Sequence, residues 1–209
     1  MRPIVFLLIA FAALAVAQAS PTHVMIFYET LCPGCGQEMR EQVPEARQTF
    51  GDDIYVSLVP FGNANMELKR GGAISVNCQH GPQECVGNTW HACSQLYMTY
   101  KEHLDYASCT MNHQDNLPAY LKKCTTPQMA EKLAKCASGA QGQAATKMMG
   151  DLTLMAGAVV NPNTTRRLSA VPTVAIDGSF VSVQDYHTLS ELICLKALHK
   201  PPQCSGMSL

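Results

Sequence analysis

The sequence lacks an excess of charge of either sign. It holds 15 lysines and arginines against 16 aspartates and glutamates, so the formal net charge is −1, and the basic residues are scattered along the chain. Proteins that bind nucleic acid or acidic membrane surfaces typically carry a strongly basic patch. We therefore expect no nucleic-acid partner and no binding to a charged membrane surface.

A hydrophobic run long enough to span a bilayer is missing as well. The run Ile4 to Val16 follows Arg2 and falls short of the roughly 20 apolar residues that a membrane helix needs. Ala17-Gln18-Ala19 comes next and has the small-x-small pattern of a cleavage site. Residues 1–19 are therefore predicted to be a secretory signal peptide rather than a membrane anchor, and residues 20–209 to form one domain.

Cysteine, by contrast, is abundant. Ten cysteines in an exported chain indicate a compartment in which disulfides form and persist. Apart from Cys32 and Cys35, their number is even and fits four structural bridges, with the pairing left open among 105 connectivities. These eight are Cys78, Cys85, Cys93, Cys109, Cys124, Cys136, Cys194 and Cys204. The sequon at Asn163 predicts a glycosylated surface position.

The first half of the chain predicts a strand, a helix and a second strand. A continuous apolar run predicts a buried strand over 23–29. The next stretch has helical spacing, with Pro44 expected to kink or split the helix and Gly51 to end it. Residues 54–59 read as a second strand, so the two strands should be parallel. Residues 61–84 are poor in regular signals and are interpreted as a long ordered loop.

The second half predicts helices and then a hairpin. One helix, capped by Asn88 or Thr89, is expected to bury Trp90, Cys93, Tyr97, Tyr100 and Leu104; others are expected near 115–123, 127–136 and 141–156. Asp177-Gly178 between two β-rich runs is a strong hairpin signal. A last helix should follow Asp185, with Leu198 among the residues facing inward.

This order of elements is α/β and resembles the thioredoxin fold. A mainly helical, disulfide-stapled insertion at about 61–168 separates the second strand from the third, which resembles the bacterial periplasmic oxidoreductases of that superfamily. The resemblance implies that Val171-Pro172, just before the third strand, contains a cis-proline that faces the active-site disulfide and contacts substrate.

The pair Cys32 and Cys35, separated by Pro33-Gly34, stands where a thioredoxin-type redox centre sits. At a helix N-terminus the Cys32 thiolate would be stabilised by unpaired N–H groups and the helix dipole. Cys32 is then the nucleophile and Cys35 the resolving thiol. A permanent disulfide or half of a zinc site are the alternatives. Two nearby carboxylates, Glu29 and Glu38, would raise the pKa of Cys32 if they pointed inward.

A second motif lies between Cys78 and Cys93. Its three cysteines and two histidines could ligate a metal, but export and the even cysteine total favour a disulfide-stapled loop. The motif reads Cys-Gln-His-Gly, two residues, Glu-Cys, two residues, Asn, four residues, Cys. It resembles, at every specified position, the hallmark of the gamma-interferon-inducible lysosomal thiol reductase family. The resemblance covers nearly the whole chain after residue 19.

The resemblance implies a soluble thiol oxidoreductase that reduces protein disulfides, commonly at acidic pH, with Cys32 and Cys35 as the redox pair. Its partners would be disulfide-bonded proteins and a small-thiol reductant, and no metal or organic cofactor is implied. A loop histidine such as His80 is more often a hydrogen-bonding group than a base. The first strand begins almost at the expected cleavage site, which leaves no room for a propeptide, and there is one sequon. Both a lysosomal or endosomal and an extracellular destination therefore stay open.

Three other functions remain as alternatives. The same pair would run as an oxidase or isomerase if its reduction potential were high relative to its compartment. A secreted interaction protein would keep the thioredoxin-like fold with little or no reductase activity. A metal-binding module would hold stoichiometric zinc and lose its fold with a chelator.

Overall fold

The computed structural model describes residues 20–162, 167–182 and 188–207. Its strands are β1 (Thr22–Tyr28), β2 (Ile54–Pro60), β3 (Asn65–Leu68), β4 (Ile74–Asn77), β5 (Thr173–Ile176) and β6 (Ser179–Ser182). Four of them form the central sheet in the order β2-β1-β5-β6, while β3 and β4 form a separate hairpin. β1 is parallel to β2, as predicted, and antiparallel to β5.

The helices of the described part are α1 (Pro33–Gln37), α2 (Val43–Phe50), α3 (Pro82–Tyr97), α4 (Tyr100–Met111), α5 (Leu117–Lys123), α6 (Pro127–Ala137), α7 (Ala140–Val160) and α8 (Leu189–Lys196). Helices α3 to α7 follow one another between β2 and β5. The chain therefore inserts a helical block between the second and third strands of its central sheet. No helix in these described ranges combines the length and the apolar character needed to cross a membrane.

The central strand β1 is covered on both faces, which explains its unbroken apolar run. Val24, Ile26 and Tyr28 face a core shared with α2, α4 and α8. Phe27 points the other way, into a second core that includes residues of α7. A third core lies within the helical block and contains Trp90 and Leu133.

Pro44 splits the first helical stretch, as predicted. A π-helical turn over Glu38–Gln42 separates α1 from α2, and Pro44 lies in the first turn of α2. A proline there has no N–H to donate to the preceding turn, which disrupts the regular hydrogen-bond ladder. α2 ends at Gly51, whose φ of 55° is in the left-handed region.

The expectation of a loop over 61–84 is wrong. The segment holds the β3–β4 hairpin, and α3 begins at Pro82 instead of near Asn88. β3 alternates polar and apolar residues over only four positions, and most of them are exposed. Among the residues that the structure describes, no side chain caps α3, and Pro82 occupies the first turn, where a missing N–H costs nothing.

The single helix expected to run from Trp90 to Leu104 is two helices. The backbone is extended at Met98, and Thr99 and Glu102 form a capping box that starts α4. Tyr100 therefore does not continue the buried face; it is 39% exposed, and its hydroxyl accepts a hydrogen bond from the Val56 N–H.

The C-terminal unit follows the prediction except at its end. Asp177 and Gly178 form the turn between β5 and β6, both with positive φ. Leu198, expected to face inward, lies beyond the last turn of α8 and is 75% exposed. The predicted signal peptide and the glycosylation site at Asn163 lie outside the described residues.

Candidate active site

The dithiol lies where β1 gives way to the first helix. Cys32 occupies the N-cap position of α1, and its Sγ accepts a hydrogen bond from the Cys35 N–H at 3.3 Å. Both cysteines are free thiols. Cys32 is 7% exposed and Cys35, one turn inward, is fully buried. Both thiols are thus buried, Cys35 completely and Cys32 with a small exposed fraction of the residue.

The two thiols have opposite acidities. The pKa of Cys32 is lowered to about 6, chiefly by a hydrogen bond from the Cys35 thiol, then by backbone N–H groups and the positive charge of His80, against the effect of burial. Burial raises the pKa of Cys35 far above its ordinary value, and the negative charge on Cys32 adds to this. Cys32 is therefore the thiol that ionises, and Cys35 keeps its proton.

The Val171-Pro172 loop faces the dithiol across 139 residues of sequence. The Val171-Pro172 peptide bond is cis, and the Cys32 thiol donates to the Val171 carbonyl at 3.6 Å. A Cβ placed on Gly34 would lie 3.6 Å from Pro172 Cδ. The structure thus brings together the two segments that sequence reasoning associated only through resemblance.

Residues of the second motif hold the segment between β1 and Cys32. Asn88 Oδ1 accepts hydrogen bonds from the Thr30 N–H at 3.0 Å and the Thr30 hydroxyl at 2.9 Å. Glu84 Oε2 accepts from the Leu31 N–H at 3.3 Å. Sequence reasoning missed both roles, although a spacing of four residues places Glu84 and Asn88 on one helix face.

Gln114 holds the same segment from the other side. Its Nε2 donates to the Thr30 carbonyl at 3.0 Å and to the Cys32 carbonyl at 2.9 Å. No motif in the sequence marks this residue, because its role depends on the turn after α4 lying against the segment before Cys32. The segment before the nucleophile is therefore fixed through its backbone by three side chains from the helical block.

Three titratable side chains, Glu29, His80 and Glu84, form a cluster beside the dithiol. His80 Nδ1 lies 2.6 Å from Glu84 Oε2 and 3.3 Å from Glu29 Oε2. Both carboxylates are fully buried, whereas the imidazole is partly exposed. Their ligand atoms lie within 4.8 Å of one another, close enough for a metal ion, but the shorter distance is that of a charge-assisted hydrogen bond. A shared proton therefore fits the cluster as it stands.

Burial and the charge of Glu84 raise the pKa of Glu29 to about 7, against the opposing effects of the Asn63 N–H and His80. At Cys35, a hydrogen bond with the Glu29 backbone lowers the pKa, and the charge of Glu29 raises it by less. Burial alone raises the pKa of Glu38 to about 7. The side chains of Glu29 and Glu38 thus both point into the protein, an orientation that the sequence left open.

The other eight cysteines form four bridges, a pairing that the sequence could not determine. They are Cys78–Cys85, Cys93–Cys136, Cys109–Cys124 and Cys194–Cys204. The first closes the short loop that carries His80 and Glu84 of the cluster. Four bridges fit the oxidising conditions of the secretory pathway.

Comparisons with known proteins agree with this site. The family described as "Gamma interferon inducible lysosomal thiol reductase (GILT)" matches residues 23–128. The gamma-interferon-inducible lysosomal thiol reductase of Carassius auratus is 29% identical over 198 residues, covering 91% of this chain and 74% of that protein. GILT-like protein 1 of Drosophila melanogaster is 26% identical over 179 residues, covering 78% and 68%.

A solved structure shows the same fold at low sequence identity. The MdbA protein of Actinomyces oris, a thiol-disulfide oxidoreductase, is 18% identical, with a TM-score of 0.56 over 85% of this chain and 82% of that one. This likeness confirms the thioredoxin-like fold with its helical insertion. Because the family match spans the dithiol and the whole second motif, the chain belongs to the gamma interferon inducible lysosomal thiol reductase family.

Proposed function

We propose that this thiol oxidoreductase reduces protein disulfide bonds through Cys32 and Cys35. The Cys32 thiolate attacks a substrate disulfide, forming a mixed disulfide and releasing one substrate sulfur, which takes up a proton. Cys35 then loses its proton and attacks Cys32 Sγ, so the second substrate thiol leaves and the enzyme pair is oxidised. A small-thiol reductant returns the pair to its dithiol form.

The observation that carries this proposal is the contrast between the two thiols. Cys32 caps a helix, is 7% exposed and has its pKa lowered to about 6, while Cys35 is completely buried and retains its proton. A resolving thiol that stays protonated until the mixed disulfide forms does not compete as a nucleophile. This division of roles supports catalysis over a purely structural dithiol.

The acidity of Cys32 also bears on the direction of the reaction. The more the nucleophile's thiolate is stabilised, the more oxidising the pair becomes, and pKa values of about 7 in thioredoxin and about 3.5 in DsbA mark a reductant and a strong oxidant. The pKa of about 6 for Cys32 lies nearer the reductant. It supports the reductase direction over oxidase activity.

The same pKa supports function in an acidic compartment. At pH 5 a thiol with a pKa of about 6 is about one-tenth ionised, whereas an ordinary cysteine with a pKa of about 8.5 is ionised to a few parts in ten thousand. We infer a place in the secretory pathway, with an acidic lysosome or endosome or the extracellular space as destination. For the substrate chain we assign the surface formed by Val171 and Pro172, which lies directly against the dithiol.

The test is reduction of a folded disulfide-bonded protein from pH 4 to 8 by the wild type, Cys32→Ser and Cys35→Ser. We expect Cys32→Ser to abolish turnover because it removes the nucleophile. Cys35→Ser should accumulate a mixed disulfide with substrate, detected by mass spectrometry, because the second attack is missing. Full activity in Cys32→Ser would refute the assignment, and an inactive wild type that still binds the substrate would identify an interaction protein.

A further inference from the structure

The cluster of Glu29, His80 and Glu84 presents an unusual charge arrangement. Two fully buried carboxylates lie close enough for the charge of one to raise the pKa of the other. Burying like charges is costly unless a cation lies between them. The imidazole of His80 occupies that position, with Nδ1 at 2.6 Å from Glu84 and 3.3 Å from Glu29.

The remaining contacts of the carboxylates come from backbone N–H groups. Glu29 Oε1 accepts from the Asn63 N–H at 2.5 Å, and Glu84 Oε1 accepts from the His80 N–H at 3.0 Å. These neutral donors supply no compensating charge. Within the described residues that contact the two carboxylates, His80 is therefore the group that can supply a full positive charge.

The cluster is connected to the nucleophile through the segment that precedes it. The Cys32 N–H donates to the Glu29 carbonyl at 3.3 Å, and the Leu31 N–H donates to the same Glu84 oxygen that bonds His80. The positive charge of His80 stabilises the Cys32 thiolate, and the negative charges on Glu29 and Cys32 disfavour each other. The titratable groups that face the cluster are thus Cys32, at the N-cap of α1, and Cys35, within α1.

We propose that His80, anchored by Glu84 and Glu29, is a positioning residue whose imidazolium keeps Cys32 ionised in acid, and that Glu29 tunes this effect by taking up a proton. The inference deepens the proposed function and rests on it. The charge of His80 would keep Cys32 reactive at an acidic pH at which most thiols are protonated.

Acidification makes the cluster more favourable to a thiolate. The pKa of Glu29 is raised to about 7, so below that pH the carboxyl becomes neutral and its repulsion of the Cys32 thiolate disappears. The net charge of the cluster therefore becomes more positive as the pH falls, in the direction that supports the nucleophile.

The experiment measures the pH dependence of Cys32 alkylation by iodoacetamide, read by mass spectrometry of the Cys32 peptide, in the full chain. His80→Gln keeps a hydrogen-bonding side chain without the charge. We expect it to move the half-maximal pH upward by about half a unit to one unit, which lowers the alkylation rate at pH 5 by about threefold to tenfold. Glu29→Gln fixes the protonated form, which the raised pKa of Glu29 already favours near pH 6, and should leave the midpoint close to that of the wild type.

Two controls separate charge from structure. His80→Arg retains a cation and should restore most of the lost rate, which a merely structural role would not explain. His199→Gln changes an exposed histidine near Thr22, at the opposite end of β1 from Cys32, and should not move the midpoint.

The outcomes are distinguishable. An unchanged midpoint in His80→Gln, an equal shift in His80→Arg, or an upward shift in Glu29→Gln would overturn the inference while leaving the proposed function intact. A wild-type midpoint near that of ordinary cysteine would instead count against the proposed function itself. Loss of fold in His80→Gln, seen by circular dichroism, leaves the midpoint of His80→Arg, expected near that of the wild type, as the deciding measurement.

Discussion

Glu38 lies in the π-helical turn after Cys35 and is buried with little to compensate its charge. It is 4% exposed, and its Oε1 has no hydrogen-bond partner among the described residues. Burial raises the pKa of the carboxyl from 4.5 to about 7. The folded state therefore holds this proton more tightly than the unfolded chain, and the wild type loses stability as the pH rises from about 4.5 to 7.

We expect Glu38→Gln to remove this pH dependence. The variant should gain stability relative to the wild type as the pH rises through that window, approaching on the order of 3 kcal/mol at neutral pH and little at pH 4. Urea unfolding at pH 4 and pH 7.5 measures the difference. A gain that is equal at both pH values would show that the Glu38 proton is not the cause.

The comparison of variant with wild type also cancels an opposing effect. His91 and His103 are buried. Burial is the chief reason that their pKa values are lowered, to about 3 for His91 and about 4 for His103. Because the unfolded chain binds these protons more readily, both histidines make stability rise with pH below about 6.5. The absolute stability curve mixes the two trends, whereas the difference curve isolates Glu38.

At the scale of elements, the packing of α3 against the active-site segment depends on Gly87. A Cβ at this position would overlap the Thr30 hydroxyl and Leu117 Cδ2. The close approach lets Asn88 and Glu84 reach the backbone of Thr30 and Leu31. Helix propensity alone would favour alanine here, so the glycine is explained by tertiary packing.

Gly87→Ala should therefore destabilise the protein by about 1 to 3 kcal/mol despite the better helix propensity of alanine. It should also slow Cys32 alkylation at pH 5, because displacement of α3 moves the cluster that Glu84 anchors. Val86→Ala is the matched control, since Val86 is the preceding residue of the same helix and is 50% exposed. Equal unfolding midpoints for the two variants would contradict this account of the packing.

How far the sequence predicted the elements depends on the local signal each one carries. β1, the Pro44 split and the Asp177-Gly178 hairpin follow from patterns within a few residues, and all three are confirmed. The β3–β4 hairpin was missed although Asn65–Leu68 and Ile74–Asn77 each alternate polar and apolar residues, because each alternating run is only four residues long. The break at Met98 was missed because the apolar spacing continues across it, while the capping box of Thr99 decides the start of α4.

At the scale of the molecule, the four disulfides differ in how much chain they close. Cys93–Cys136 joins α3 to α6 across 43 residues, whereas Cys78–Cys85 spans seven. If bridges act mainly by restricting the unfolded chain, the longer should contribute about 4 kcal/mol and the shorter about 2 kcal/mol. The stability of the helical block should therefore depend more on Cys93–Cys136 than on Cys78–Cys85.

Double alanine variants of each bridge test this order by urea unfolding. We expect the Cys93/Cys136 variant to lose more stability than the Cys78/Cys85 variant. The reverse order would show that native-state contacts, and not loop closure, dominate.

The sequence by itself determined the parts of this protein that are local or carry a long fixed motif. The dithiol after a buried strand, the strand-helix-strand unit with parallel strands and the family resemblance all follow from residues close together in the chain. Only the tertiary structure decided the disulfide pairing, the inward orientation of Glu29 and Glu38, and the placement of His80 beside the nucleophile. These depend on the approach of α3 to the segment before Cys32, which brings together residues about 50 positions apart. Burial and charge depend on which groups are close in space and not on their separation in the sequence. The reactivity of Cys32 is therefore set by the fold around Cys32-Pro33-Gly34-Cys35 as well as by those four residues.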